Sequence, residues 1–150
     1  MAFFTANTLW CDSRYYLDEE TGEYRRKFVL ILATSPSGDD ALSAVLTSRA
    51  NGLREEPACD PGPPRAGYYI GVPGGGLVKP TWVDFSSVKD VDDFAFKKLV
   101  GNGRITPDAL VLPNATFCGI LRCLSRSEDL SKRQHKWLTA TIASLGCPQG

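Results

Sequence analysis

Short apolar runs separated by polar turns dominate the hydrophobic pattern of this chain. The run at residues 23–33 begins with charged side chains and ends in aliphatic ones, and a second run at residues 41–49 follows after a turn containing Pro36 and Gly38. Runs of this length between turn residues predict β-strands. If the two strands pair antiparallel, the start of the first and the end of the second lie at the same end of a sheet.

Three further segments have the aromatic and β-branched content of strands, at residues 8–11, 68–72 and 81–85. The Pro73-Gly-Gly-Gly76 run between the last two predicts a flexible hairpin connection. It is not a phosphate-binding P-loop, because no Gly-Lys-Ser/Thr follows it. Residues 51–65 are polar and rich in proline, which predicts a long loop with a role as a lid or partner-binding segment.

Helical spacing appears only in the second half of the chain. Val91, Phe94, Ala95 and Leu99 fit one face of a short helix. Thr106-Pro107-Asp108 has the residue types of a helix start. Pro113 interrupts the apolar run that follows. The helix therefore either ends at Pro113 or begins again near residue 114. Residues 127–145 are the clearest helix, with Ser127 as its cap and Gly146 as its stop.

Length and composition set outer bounds on the fold. With 150 residues, 43% of them hydrophobic and 23% charged, the chain predicts a single globular domain over residues 1–150. The 17 basic and 17 acidic side chains cancel, so no global field attracts nucleic acid. An RNA substrate would therefore need a local basic face and would bind in a salt-sensitive manner.

The cysteine and histidine content argues against a metal site. The five cysteines form no Cys-x-x-Cys pair, and the chain has one histidine, so we expect no zinc site. The first residues lack the basic and apolar regions of a secretory signal, and no run is long enough to span a membrane. These features predict a cytoplasmic protein with reduced thiols and no membrane partner.

Candidate chemistry lies where the two central strands begin and end. Arg25 and Arg26 enter the first strand, and Thr47, Ser48 and Arg49 leave the second. An antiparallel pairing would bring guanidinium groups beside a hydroxyl. Taken alone, arginines flanking a buried strand are more often solvated than catalytic.

The pattern Arg26-x-x-Val-Leu-Ile31, followed by an apolar strand ending in Thr47, resembles the MazF/PemK (Kid) family of toxins. The similarity spans residues 7–125 and rests on hydrophobic pattern and a few polar positions. It implies a mostly β (α+β) fold, namely a small SH3-like barrel of antiparallel strands with C-terminal helices. It also implies a metal-independent, cofactor-free endoribonuclease.

By this resemblance, Arg26 and Thr47 take the catalytic positions, and Arg25 remains an alternative to Arg26. Lys27 stands where the family has a proline, which restores a backbone donor there. Arg25, Lys27, Ser48 and Arg49 are the expected substrate-binding residues, with Ser48 able to substitute for Thr47. The first strand departs from the family pattern, because residues 7–9 replace its Gly-Asp-Ile signature.

The implied reaction is attack of an RNA 2′-hydroxyl on the adjacent phosphate, leaving a cyclic phosphate and a 5′-hydroxyl. The implied partners are single-stranded RNA, a cognate antitoxin protein and a second copy of the chain in a homodimer. Two other functions stay open. One is a gyrase poison of the same fold, whose Trp-Gly-Ile chain end is replaced here by Gly146-Cys-Pro-Gln-Gly150. The other is a non-catalytic SH3-like binding module.

Overall fold

A computed structural model describes residues 3–127 and 130–148. Within these residues the chain forms seven strands and three helices. In chain order they are β1 (Leu9–Asp18), β2 (Glu23–Thr34), β3 (Asp40–Thr47), β4 (Cys59–Asp60), β5 (Gly67–Gly71), β6 (Thr81–Asp92), α1 (Asp93–Gly101), β7 (Ile105–Asp108), α2 (Asn114–Ser125) and α3 (Lys132–Ser144).

All seven strands belong to one antiparallel sheet with the order β4-β5-β6-β3-β2-β1-β7. The fold is therefore mostly β with added helices, as the sequence predicts. The short strands β4 and β7 are at its two edges, so the sheet is open rather than closed into a barrel. The central strands are β6, β3 and β2, and their apolar runs are buried on both faces.

Alternation along β2 divides the core between the two faces of the sheet. Leu30 and Leu32 belong to the larger cluster, which also contains the apolar side chains of α2 and α3. Ile31 belongs to a smaller cluster on the other face, with Phe4 of the N-terminal segment and Phe96 of α1. Successive side chains on a strand point to opposite faces, so a continuous apolar run fills both layers.

Two strands are longer than the sequence predicts. β1 continues to Asp18 and β6 continues to Asp92, beyond the strand segments 8–11 and 81–85 that the sequence predicts, and Val91 lies in β6 rather than on the predicted helix face. In β6 the Ser87 hydroxyl accepts the Val45 N–H at 2.8 Å and donates to the Asp84 carbonyl at 2.6 Å. A side chain thus replaces a ladder hydrogen bond at an irregularity between β3 and β6, and the pairing resumes beyond it.

The predicted helix start at residues 106–108 is wrong. Residues 105–108 form β7, in which Pro107 lies opposite Trp10 of β1. Proline has no N–H to donate, and an edge strand tolerates that loss on its outer side. The helix begins only at Asn114, after Pro113, which was the alternative that the sequence left open.

The last helix is shorter at its start than predicted. It begins at Lys132, and its cap is Ser131, whose hydroxyl accepts the Gln134 N–H while the Gln134 side chain accepts the Ser131 N–H. Ser127 therefore does not cap it, and residues 128–129 of the predicted helix lie outside the described part of the chain. Gly146 has a φ of +65° and ends the helix, as the sequence predicts.

Four of the five cysteines form disulfides, which corrects the expectation of reduced thiols. Cys59 pairs with Cys123 and Cys118 pairs with Cys147, leaving Cys11 as the free thiol. Both bonds involve α2, one to β4 and one to the segment after α3. Partners separated by 64 and 29 residues have no local spacing signal, so only the packing of α2 brings them together. No helix in the described residues has the length and hydrophobicity that crossing a membrane requires.

Candidate functional site

A cavity of about 270 Å³ opens at the end of the sheet where β2 begins and β3 ends. The ladder between these strands runs from Thr34 and Ala41 to Val29 and Val45, and the cavity lies beyond the last pair. It is lined by Arg26, Lys27 and Phe28 of β2, by Leu46, Thr47 and Ser48 at the end of β3, and by Gly76, Leu77, Val78, Lys79 and Thr81 around the start of β6.

The cavity lining is basic although the whole chain is neutral. Arg26, Lys27 and Lys79 contribute cations, and none of the described lining residues is acidic. Thr47 and Ser48 add hydroxyl groups, whereas the Thr81 hydroxyl is buried and donates to the Lys79 carbonyl at 2.8 Å. Arginine and lysine beside hydroxyl donors form a set suited to phosphate oxygens. This lining therefore favours contact with an anion.

Thr47 is held in a fixed position within this lining. Its side chain is buried, and its hydroxyl oxygen accepts the Arg49 N–H at 3.1 Å. The same hydroxyl donates to the Arg49 carbonyl over a long 3.4 Å. Because the accepted bond fixes the oxygen and the donated bond is weak, the hydroxyl hydrogen can turn to a bound anion at little cost.

The two neighbouring arginines of β2 have different environments. Arg25 donates from Nε and Nη2 to Asp18 Oδ2 at 3.2 and 3.1 Å, across the hairpin that joins β1 and β2. The hydrogen bond from Arg25 lowers the pKa of Asp18. Arg26 has no carboxylate partner in the described residues, and its guanidinium carbon lies 5.5 Å from the centroid of the Phe28 ring. Arg26 is thus the arginine that remains available to an anion.

The structure brings together four of the six residues singled out from the sequence. Arg26, Lys27, Thr47 and Ser48 line the cavity, whereas Arg25 and Arg49 are not part of its lining. Arg49 contributes through its backbone, which orients the Thr47 hydroxyl.

Sequence reasoning missed the third wall of the cavity, formed by residues 76–81. The signal was present in part, because Lys79 precedes a buried strand in the same way that Arg26 does. The run of glycines before it was interpreted only as a flexible connection. In the structure Gly74 and Leu77 exchange two backbone hydrogen bonds of 3.0 and 2.9 Å, so this turn is ordered.

Two other side chains that could serve an RNA enzyme, the single histidine and a tryptophan, lie outside the cavity lining. His135 is exposed on α3, with Nε2 3.3 Å from the Ser125 carbonyl oxygen. Trp82 is buried in the sheet with its indole N–H bonded to the Arg54 carbonyl. The cavity therefore offers charge and hydroxyl groups, without a carboxylate or an imidazole.

No known protein-family model matches this chain, and a search of curated proteins found no significant match.

Proposed function

We propose that this protein is a metal-independent endoribonuclease of the toxin type that cleaves single-stranded RNA at the cavity between β2 and β3. The observation that carries the proposal is the lining of that cavity. Among the described residues it contains three cations, the hydroxyls of Thr47 and Ser48 and no acidic side chain, in a chain of zero net charge. A concentrated positive site on a neutral protein favours local binding of a phosphodiester over coating of a long polyanion.

In the proposed reaction the 2′-oxygen of a ribose attacks the adjacent phosphorus, and the bond from phosphorus to the 5′-oxygen breaks. The 2′-hydroxyl loses its proton, and the leaving 5′-oxygen gains one. The products are a 2′,3′-cyclic phosphate and a 5′-hydroxyl, so no water is consumed. We assign both proton transfers to solvent water, because neither a carboxylate nor an imidazole lines the cavity.

The cavity residues take distinct roles in this reaction. Arg26 binds two non-bridging oxygens and stabilises the negative charge that grows on them in the transition state. Thr47 donates to a phosphate oxygen and fixes the position of the phosphorus. Lys27, Lys79 and Ser48 hold the flanking phosphates of the strand, which supplies the salt-sensitive part of binding.

The proposal extends to the protein's partners and fold family. Tyr16, Leu17 and Tyr24 are large apolar residues exposed on the β1–β2 hairpin, which supports contact with another protein chain in a homodimer or with an antitoxin.

The SH3-like barrel remains part of the resemblance to the MazF/PemK family, while the sheet itself is open. Action on RNA favours a cytoplasmic location, whereas the two disulfides favour an oxidising compartment.

The test is cleavage of a long unpaired RNA by the purified protein in EDTA, with identification of the product ends. We expect cyclic-phosphate and 5′-hydroxyl ends, and a loss of at least ~10²-fold in Arg26→Ala because a charge-stabilising group is removed. Thr47→Ala should lose about 10-fold or more, the effect of one hydrogen bond to a charged group.

Matched controls are available beside each residue. Arg25→Ala removes an arginine that is paired with Asp18 outside the cavity, and Thr106→Ala removes an exposed threonine of β7. Both should retain parental activity. If the folded parent cleaves no RNA at any salt concentration, the nuclease proposal is refuted. The second candidate function is a phosphate-binding module. It is favoured by the lack of a general base among the described residues of the cavity lining.

A further inference from the structure

We propose that Phe28 and Gly76 are positioning residues that hold Arg26 in the cavity, with the Phe28 ring clamped between the guanidinium and the glycine turn. This inference rests on the proposed function, since it concerns the same site. Neither residue carries a polar side chain, and the resemblance on which the site was first identified assigns no role to either.

The first contact is between Arg26 and Phe28. Residues two apart on a strand point to the same face, and the guanidinium carbon lies 5.5 Å from the ring centroid. Within residues 3–127 and 130–148 Arg26 forms no ion pair, unlike Arg25, Arg104 and Arg133. The aromatic face is thus the feature that orients this guanidinium without neutralising its charge. A carboxylate in that place would orient it equally well but would repel a phosphate.

The second contact is between Phe28 and the turn. Phe28 is 9% exposed, and a Cβ added at Gly76 would lie 3.2 Å from Cζ of its ring and 4.0 Å from Cε2. A side chain at residue 76 would therefore push the ring or the turn by a few tenths of an ångström from this position. Gly76 is not in the left-handed region, in contrast to Gly74 and Gly75 with φ of +100° and +59°. Other residues can adopt the backbone conformation of Gly76, so what distinguishes glycine at this position is the small space that it takes beside the Phe28 ring.

Through these two contacts, the glycine turn positions the Phe28 ring and the ring positions the Arg26 guanidinium. The turn at Gly76 lies at the Cζ end of the ring, and the Arg26 guanidinium lies over the same ring at the cavity lining. Loss of the aromatic face would leave Arg26 charged but free to rotate, so that fewer of its orientations match the phosphate oxygens. Turnover should then fall more than substrate affinity, because orientation matters most in the transition state.

The experiment compares Phe28→Leu and Gly76→Ala with the parent. Phe28→Leu keeps an apolar side chain without a ring face, and we expect kcat to fall about 3- to 10-fold with a change in KM below about 2-fold. Phe85→Leu, at a buried phenylalanine of β6 that does not line the cavity, is the control for loss of a core ring and should keep the parental kcat. Gly76→Ala displaces the ring and should lower kcat in the same direction. Gly101→Ala, where an added Cβ meets nothing within 4 Å, is the glycine control and should be unchanged.

A second readout does not depend on cleavage. The Nε–H resonance of Arg26, assigned by its loss in Arg26→Ala, should carry an upfield ring-current shift that disappears in Phe28→Leu and persists in Phe85→Leu. If the parent shows this shift but cleaves no RNA, the proposed nuclease fails while the clamp stands. An unshifted Arg26 resonance in the parent, or full kcat in a folded Phe28→Leu protein, would overturn the clamp itself.

Discussion

Trp82 of β6 lies opposite Thr47 of β3 in the sheet. The indole N–H of Trp82 donates to the Arg54 carbonyl at 3.0 Å, and the Arg54 side chain in turn donates to the carbonyls of Pro57 and Cys59. The proline-rich segment at residues 51–65 is thereby tied to the strand pair that carries the cavity hydroxyl. This segment is an anchored part of the fold near the site, and sequence alone predicts only a long loop.

We expect Trp82→Phe to lower the free energy of unfolding by about 1 kcal/mol beyond the effect of the smaller ring, because it leaves the Arg54 carbonyl without its partner. The chain offers a matched control in Trp10→Phe, since the Trp10 indole nitrogen is buried without a hydrogen-bond partner in the described residues. Urea unfolding measures both variants. Equal losses in the two would show that the Trp82 hydrogen bond contributes nothing to stability.

The ion pair between Asp12 and Arg104 predicts a larger effect. Asp12 is 5% exposed and receives Arg104 Nε at 2.8 Å and Nη2 at 3.2 Å, which joins β1 to the segment before β7. Arg104→Met leaves a buried carboxylate without its partner and should cost about 2–3 kcal/mol, less than a fully buried pair because Arg104 is partly exposed. The hydrogen bond to Asp12 raises the pKa of Arg104, so the contribution of the charged guanidinium is fully present below the ordinary arginine pKa and is lost as the pH rises through the raised one.

Denaturant unfolding from pH 6 to 9 tests this prediction, and the deficit of Arg104→Met should be constant over that range. Arg25→Met is the surface control. It breaks the exposed pair with Asp18 and should change stability by less than about 0.5 kcal/mol. A deficit no larger than that of the control would contradict the assigned role of the Asp12–Arg104 pair.

The disulfides predict a thiol count. Protein unfolded without reductant should react with alkylating agent at one cysteine, Cys11, and at all five after reduction. Removing the second bond by Cys118→Ser with Cys147→Ser should lower stability by about 2–4 kcal/mol, since it frees a long loop in the unfolded chain. Mass spectrometry after alkylation gives the count. Five reactive thiols in unreduced protein would contradict both pairings.

Cys11 gives a pH-dependent test of the position of Arg26. Burial raises the pKa of the Cys11 thiol, and the positive charge of Arg26 lowers it by a smaller amount. The thiolate is the reactive form, so alkylation of the folded protein should be slower than that of a free thiol near neutral pH and should rise with pH. Arg26→Gln removes the charge and should slow alkylation further, whereas Arg25→Gln should leave the rate unchanged. An identical rate in Arg26→Gln would place Arg26 away from Cys11.

Lys79 gives a test of RNA binding by a residue that the sequence did not single out. If it contacts one phosphate, Lys79→Gln should weaken binding of unpaired RNA and reduce the slope of log K against log salt by about 0.7. Lys97→Gln removes a lysine that is paired with Asp93 on α1, and it should leave the slope unchanged. Filter binding between 50 and 200 mM salt, a range over which such contacts are sensitive, measures both. A slope equal to that of the parent would show that Lys79 does not contact an RNA phosphate.

The strand character of β2 and β3, the stop of α3 at Gly146 and the placement of the arginines that enter β2 near the end of β3 follow from the sequence alone, because each depends on local periodicity or on a short antiparallel return. Tertiary structure decided the rest. Pro107 forms an edge strand because β1 offers it a partner, and the four paired cysteines meet because α2 packs against the sheet. Lys79 and Gly76 reach the cavity because β6 lies beside β3. Long-range placement likewise separates Arg25 from Arg26, since Arg25 pairs with Asp18 whereas Arg26 lines the cavity beside the Phe28 ring.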